Sequence, residues 1–272
     1  MSAARPFEIR DEHRRAGAAF AELVALQDRL RSEGGCPWDA QQTHRSLGKH
    51  LLDESYEVLD VLDELPDEAP SGAVDAALYA HLGEELGDLV MQVVFHARLA
   101  EEAGAFDAAE VVSGIVDKLV ARHPHVFADV VADTPDAVVE TWEAVKRTEK
   151  DRDSALEGIP GALPALSRAA KVVSRTRSAG AQWGDPDRVV RRCVDAVSKY
   201  AQTRSEADLG NALFGLAAAG KLSGTDPEGA LRQTVKRWES AYRAGEIETD
   251  VLANDDPSAM VDVWDLGQGQ PS

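Results

Sequence analysis

Residues 47–62, LGKHLLDESYEVLDVL, decide how this chain folds. Leu47, Leu51, Leu52, Tyr56, Val58, Leu59 and Leu62 recur at three- and four-residue steps. That is the period of a helix with one apolar stripe, and it predicts a helix over about 44–64. Outward from it the pattern repeats. Leu78, Leu82, Leu86, Leu89, Val90, Val93 and Val94 predict a second helix over 76–103, with Gly104 just past its end. A third is expected over about 107–122 and a fourth over about 135–150. Pro66, Pro70, Ser71 and Gly72 mark the loop between the first two, and His123-Pro124-His125 stops the third. No run alternates as a strand would, so the expected fold class is all-α.

The same segment carries charge at helical spacing. Glu54 and Glu57 stand three apart and share a face; on the next helix Glu85 and Asp88 do the same. If the two helices are antiparallel neighbours, two acidic pairs meet. Four close carboxylates repel unless a cation sits among them. A donor set of oxygens, with no His or Cys in it, favours Mg²⁺ or Mn²⁺ over zinc. A lone pair of such acids is ordinarily a solvated face; here Leu51, Val58, Leu86 and Leu89 adjoin the acids and place them beside the apolar stripe. A di-iron carboxylate bundle would need Glu-x-x-His pairs, which are absent.

Composition bounds the rest. With 272 residues the chain can form one large domain or two. The 48 acidic residues against 29 basic, a net of −19, argue against non-specific nucleic-acid binding. A small polyanion remains compatible if divalent cations bridge it to the carboxylates. No apolar run is long enough for a membrane span, the N-terminus lacks an apolar leader core, and two distant cysteines make no disulfide framework. A reduced, cytoplasmic protein is expected.

After the Pro/Gly-rich stretch 157–164 the pattern starts again. RLRSEGGCPWD (29–39) is echoed by RTRSAGAQWGD (175–185), and LGDLVMQVVFHARLA (86–100) by LGNALFGLAAAGKLS (209–223). Trp142 and Trp264 close the two halves. A diverged internal duplication is expected, with an N-terminal domain over 1–155, a second over 156–250 and a tail over 251–272.

Several segments together resemble the MazG family of nucleoside triphosphate pyrophosphohydrolases. They are Cys36-Pro37-Trp38-Asp39 with Gln42-Thr43, Asp53 to Asp60, Gly83 to Leu89, Asp117-Lys118-Leu119, and Arg122-His123-Pro124-His125-Val126-Phe127. The resemblance is dense over 20–150 and weaker over 160–265. It implies two tandem helical domains, each a four-helix-type bundle completed by homodimerisation. It implies Mg²⁺-dependent hydrolysis of a nucleoside triphosphate to the monophosphate and diphosphate. By position it makes Glu54, Glu57, Glu85 and Asp88 metal ligands, puts Lys118 and Arg122 on the triphosphate, and sets Trp142 near the base or sugar. Asp53 stands where the family has its first Glu, and it and Trp38 would support the site. From the residues alone, Lys118 and Arg122 are equally a surface basic pair, Trp142 a core ring, the His123-Pro124-His125 segment a packed helix stop, and Cys36 and Trp38 loop anchors.

The second half departs further. Asp195-Ala196-Val197-Ser198-Lys199 puts Ala196 and Lys199 where two ligands belong, and Asp208-Leu209-Gly210-Asn211 loses another charge. No catalytic Mg²⁺ is expected there, with Lys236 and Trp264 as relics of nucleotide binding. Three functions remain to be separated: a nucleotide-pool house-cleaning hydrolase, a dUTPase- or dCTPase-like relative, and a non-catalytic nucleotide sensor.

Overall fold

A computed structural model describes residues 5–66, 74–135, 137, 138, 141, 142, 145 and 154–243. All regular structure among them is helical. The chain divides into two compact units, Met1–Asp151 and Arg152–Ser272. No helix among the described residues is long and apolar enough to cross a membrane.

The first unit contains α1 (Asp11–Arg31), α2 (Pro37–Gln41), α3 (His44–Leu62), α4 (Ala76–Glu102), α5 (Ala108–Arg122) and α6 (Pro124–Phe127). Each long helix after α1 starts on a side-chain cap. The Thr43 hydroxyl accepts from the Ser46 amide at 3.1 Å, Asp75 accepts from the Ala77 and Leu78 amides, and Asp107 pairs with Glu110 in a capping box. Gly104, just beyond α4, has φ +68°, the left-handed value that favours glycine there. Pro124 does more than stop α5. It also occupies the first position of α6, where a missing N–H is harmless. Of the expected fourth helix, positions 135, 137, 138, 141, 142 and 145 are helical; the rest of 135–150, residues 70–72 and the 251–272 tail lie outside the described residues.

α3 and α4 are antiparallel: His44 at the start of α3 meets His96 late in α4, while Glu54 meets Glu85 and Asp88 earlier in α4. Between them Leu47, Val58, Val61, Val94 and Phe95 are buried. The loop after α1 is fastened by Arg31. Its guanidinium grips the Glu102 carboxylate at 2.8 and 2.7 Å, donates to the Asp39 and Gln42 carbonyls, and lies 5.5 Å from the Phe95 ring centre. Gly35 is needed in this loop, because a Cβ there would stand 2.3 Å from the Leu30 carbonyl oxygen.

The second unit contains α7 (Ala165–Ser178), α8 (Pro186–Thr203), α9 (Glu206–Leu222) and α10 (Pro227–Arg243). Val173, Val189, Cys193, Ala218 and Ala219 form its core, against which Trp183 and Leu222 pack. The Trp183 indole donates to the Thr176 hydroxyl at 3.0 Å. α8 and α9 approach closely where Gly215 faces Cys193; a Cβ on Gly215 would lie 2.9 Å from the sulfur. RTRSAGAQWGD spans the end of α7 as RLRSEGGCPWD spans the end of α1, so each of the two segments leads from the last turn of a long helix toward an antiparallel-type pair.

Candidate active site

The middle of α3 and the first half of α4 bring three carboxylates to one point. Oxygens of Glu54, Glu85 and Asp88 lie within 4.8 Å of one another. The helices set this up by spacing: the stripe that buries Val58 and Val61 turns Glu54 and Glu57 toward α4, and the i, i+3 step on α4 aligns Glu85 with Asp88. Glu57, one turn from Glu54 on α3, adds its charge to the cluster and repels both Glu54 and Glu85.

The electrostatics follow from crowding. Burial pushes the Glu54 carboxyl above its ordinary range, and the charges of Glu57, Asp88 and Glu85 push it further. Burial also raises Glu85, helped by its hydrogen bond and repulsion with Glu57 and partly offset by His81. The raised Glu54 and Glu85 carboxyls are the cost of holding acids this close, a cost that a bound cation would remove. The converging set among the described residues is carboxylate only, a hard-oxygen donor set of the kind that suits Mg²⁺ or Mn²⁺.

His81 was not singled out from the sequence. Its Nε2 lies 3.0 Å from a Glu85 oxygen, one turn away on α4. The i, i+4 spacing was readable, but His-x-x-x-Glu is not a recognised ligand pattern and the ring touches the cluster only through Glu85. Asp53 is half-buried on α3, next to the cluster in sequence. Trp38 sits on α2 with about half its surface exposed, its ring edge-on to His50 at 6.1 Å.

The cationic and aromatic candidates lie on another element. Lys118 is exposed on α5. Arg122, at the end of α5, is half-buried with its guanidinium 5.2 Å from the Trp142 ring centre. The charges that shift Glu54 and Glu85 come from their own cluster and His81, not from α5. Neither Lys118 nor Arg122 is among the groups that shift Glu54 or Glu85.

In the second unit the equivalent positions are closed. Lys199 on α8 makes an ion pair of 2.8 Å with Asp208 on α9. Asp208 also accepts from Thr203 at 2.7 Å and Ser205 at 2.9 Å, and these bonds, led by Lys199, draw its carboxyl down to about 2. Lys236 is half-buried on α10; Trp264 lies outside the described residues.

The family described as the MazG nucleotide pyrophosphohydrolase domain matches residues 42–127, the span from the α3 cap to the end of α6. A Thermotoga maritima protein named "Nucleoside triphosphate pyrophosphohydrolase/pyrophosphatase MazG" is 33% identical over 264 residues, covering 93% of this chain and 97% of its own. A "Nucleoside triphosphate pyrophosphohydrolase" of Escherichia coli is 35% identical over 261 residues, covering 89% and 94%. One of Mycobacterium tuberculosis is 37% identical over 200 residues, covering 73% and 56%. With the acid quartet inside the matched span and the likeness running through both units, the chain belongs to the MazG family.

Proposed function

We propose that this chain is a Mg²⁺-dependent nucleoside triphosphate pyrophosphohydrolase, a hydrolase acting on acid anhydrides that converts a nucleoside triphosphate and water to the monophosphate and diphosphate. The observation that carries this reading is the convergence of Glu54, Glu85 and Asp88 within 4.8 Å, with the charge of Glu57 acting on Glu54 and Glu85. These four residues are the ones that would hold the cation. Bound there, Mg²⁺ supplies charge neutralisation at the phosphate oxygens and lowers the pKa of a water.

The chain's own groups do the rest. Lys118 and Arg122, four apart on one face of α5, meet the phosphate oxygens, Arg122 through its planar fork. Trp142 offers an apolar face to the base or sugar. A carboxylate of the quartet accepts the proton of the attacking water, which approaches the α-phosphorus in line as diphosphate leaves. Asp53 and Trp38 support α3 and the loop before it.

The active form is read as a cytoplasmic homodimer. Tyr79, Leu86, Val90 and Val93 form an exposed stripe on α4 at helical spacing, and Ile115 and Leu119 are exposed on α5. Exposed apolar residues in such a row are the kind that a subunit contact covers. The second unit is read as a degenerate copy in which Lys199 replaces a ligand, so its role is scaffolding or dimerisation rather than turnover.

A panel of ribo- and deoxyribonucleoside triphosphates, with and without Mg²⁺, read by diphosphate release, tests the proposal. Mg²⁺-dependent release is expected, and its distribution over bases separates a broad house-cleaning enzyme from a dUTPase- or dCTPase-like one. Nucleotide binding with no diphosphate released under any metal would overturn it in favour of a sensor.

A further inference from the structure

Three side chains stack at the end of α5. Pro124 forces His123 out of the helical conformation, to φ −116° and ψ 56°. The His123 ring is then held by Nδ1, which lies 2.6 Å from the Leu119 carbonyl oxygen it donates to. So held, it meets Trp142 at 5.0 Å between ring centres and 74° between planes. The Arg122 guanidinium lies 5.2 Å from the same indole. Two consecutive residues of one turn thus grip a ring that comes from a separate segment.

We propose that His123 is a positioning residue for nucleotide binding. It fixes the Trp142 indole against the turn that also carries Arg122, so the base end and the phosphate end of the site keep a set spacing. The proposal rests on the reading of Trp142 as the base or sugar contact and Arg122 as a phosphate contact. The physical reason is preorganisation. An indole already locked by an edge-to-face partner loses little rotational freedom when a nucleotide arrives, whereas a free one must be ordered at the expense of affinity. The hydrogen bond from the His123 ring to Leu119 orients the imidazole, and it is the ring's contact with the indole that holds Trp142.

The test compares the nucleoside triphosphate with inorganic tripolyphosphate, which shares its phosphates and has no base. With the full chain and Mg²⁺ present, His123→Ala is expected to raise KM for the nucleotide by about twofold to tenfold, the worth of one aromatic pair, with kcat held within about twofold. The inhibition constant of tripolyphosphate should not move. Trp142→Ala should give the same pattern, and His123→Phe, which keeps a ring, should recover most of the affinity while His123→Gln does not. If Trp142→Ala leaves KM unchanged, the reading of Trp142 falls and the role of His123 with it. If Trp142→Ala raises KM but His123→Ala does not, the positioning role alone is wrong. Equal losses for nucleotide and tripolyphosphate in His123→Ala would also overturn it, since a general loosening of α5 predicts them. Should His123→Ala fail to fold, the contrast between the Phe and Gln variants decides.

Discussion

Replacing Glu54 by Gln should make the metal-free protein more stable and the enzyme nearly inactive. The carboxylate of Glu54 has oxygens within 4.8 Å of Glu85 and Asp88, and its carboxyl is raised by burial first and by those neighbours after. Gln keeps the shape and removes the charge. For the Glu54–Asp88 pair alone, Coulomb's law at that separation and a water-like dielectric gives about 1 kcal/mol of relieved repulsion. Asp88 is exposed, so the water-like figure is the appropriate one. In a unit of this size that is a rise of roughly 2–4 °C in Tm without metal. With Mg²⁺ the order should reverse, because the cation stabilises only the protein that binds it. Diphosphate release should fall by about a hundredfold or more, as expected when a charge-neutralising ligand set is broken. Differential scanning calorimetry with a chelator and with Mg²⁺, alongside the diphosphate assay, reads both effects. A variant that is less stable than the parent without metal, yet still turns over within about twofold, would refute the reasoning. It would mean the quartet is a structural cluster whose charges are already compensated.

Other consequences can be checked separately. Arg31→Met removes the closer partner of Glu102, which keeps Arg98 at 3.4 Å, and leaves two carbonyls without their donor; about 1–2 kcal/mol is expected to be lost, seen as a lower denaturant midpoint of the first unit with an unchanged slope. In the second unit, the Asp208 carboxyl sits at about 2 against an ordinary 3.8. Its lowered value means that its stabilisation is complete above pH 3.8 and is lost as the pH falls through 2, so the Tm gap between the parent and Asp208→Asn should be full near neutrality and close toward pH 2. Val90→Lys, in the middle of the exposed α4 stripe, should halve the mass measured by light scattering; an unchanged mass would remove that stripe from the subunit contact.

Helical period made α3, α4 and α5 legible, because each carries apolar residues at helical spacing and begins on a capping residue. The same period placed Glu54, Glu57, Glu85 and Asp88, since residues three apart on packed helices must share a face. What escaped was contact between residues distant in sequence. Arg31 is a charged residue at a helix end, where exposure is the default, and its burial against Glu102 and Phe95 depends on how α1 meets α4. His81 reaches the quartet only through Glu85. The His123-Pro124-His125 turn read as a helix stop because a proline's backbone effect is local, while the encounter of His123 with Trp142 is not.

The two units show how one helix pair can treat its central charges in two ways. In the second, Lys199 stands across from Asp208 at 2.8 Å, and the acid is fully served by Lys199, Thr203 and Ser205. An ammonium placed there satisfies the carboxylate permanently and leaves nothing for a metal to do. In the first, among the described residues, the charges that act on Glu54 and Glu85 are other carboxylates, with the His81 imidazole at the edge. Folding alone would favour the arrangement of the second unit, because each uncompensated acid lowers stability. Carboxylates held together at that disadvantage, in the segment the family match covers, fit the proposed cation site, where the missing charge would arrive from solution. A double change of Ala196→Glu with Lys199→Glu should therefore destabilise the second unit without metal, and Mn²⁺ should recover part of the loss. Recovery seen equally in the parent would show that the cation acts elsewhere, and would sink the argument that Lys199 has taken the metal's place.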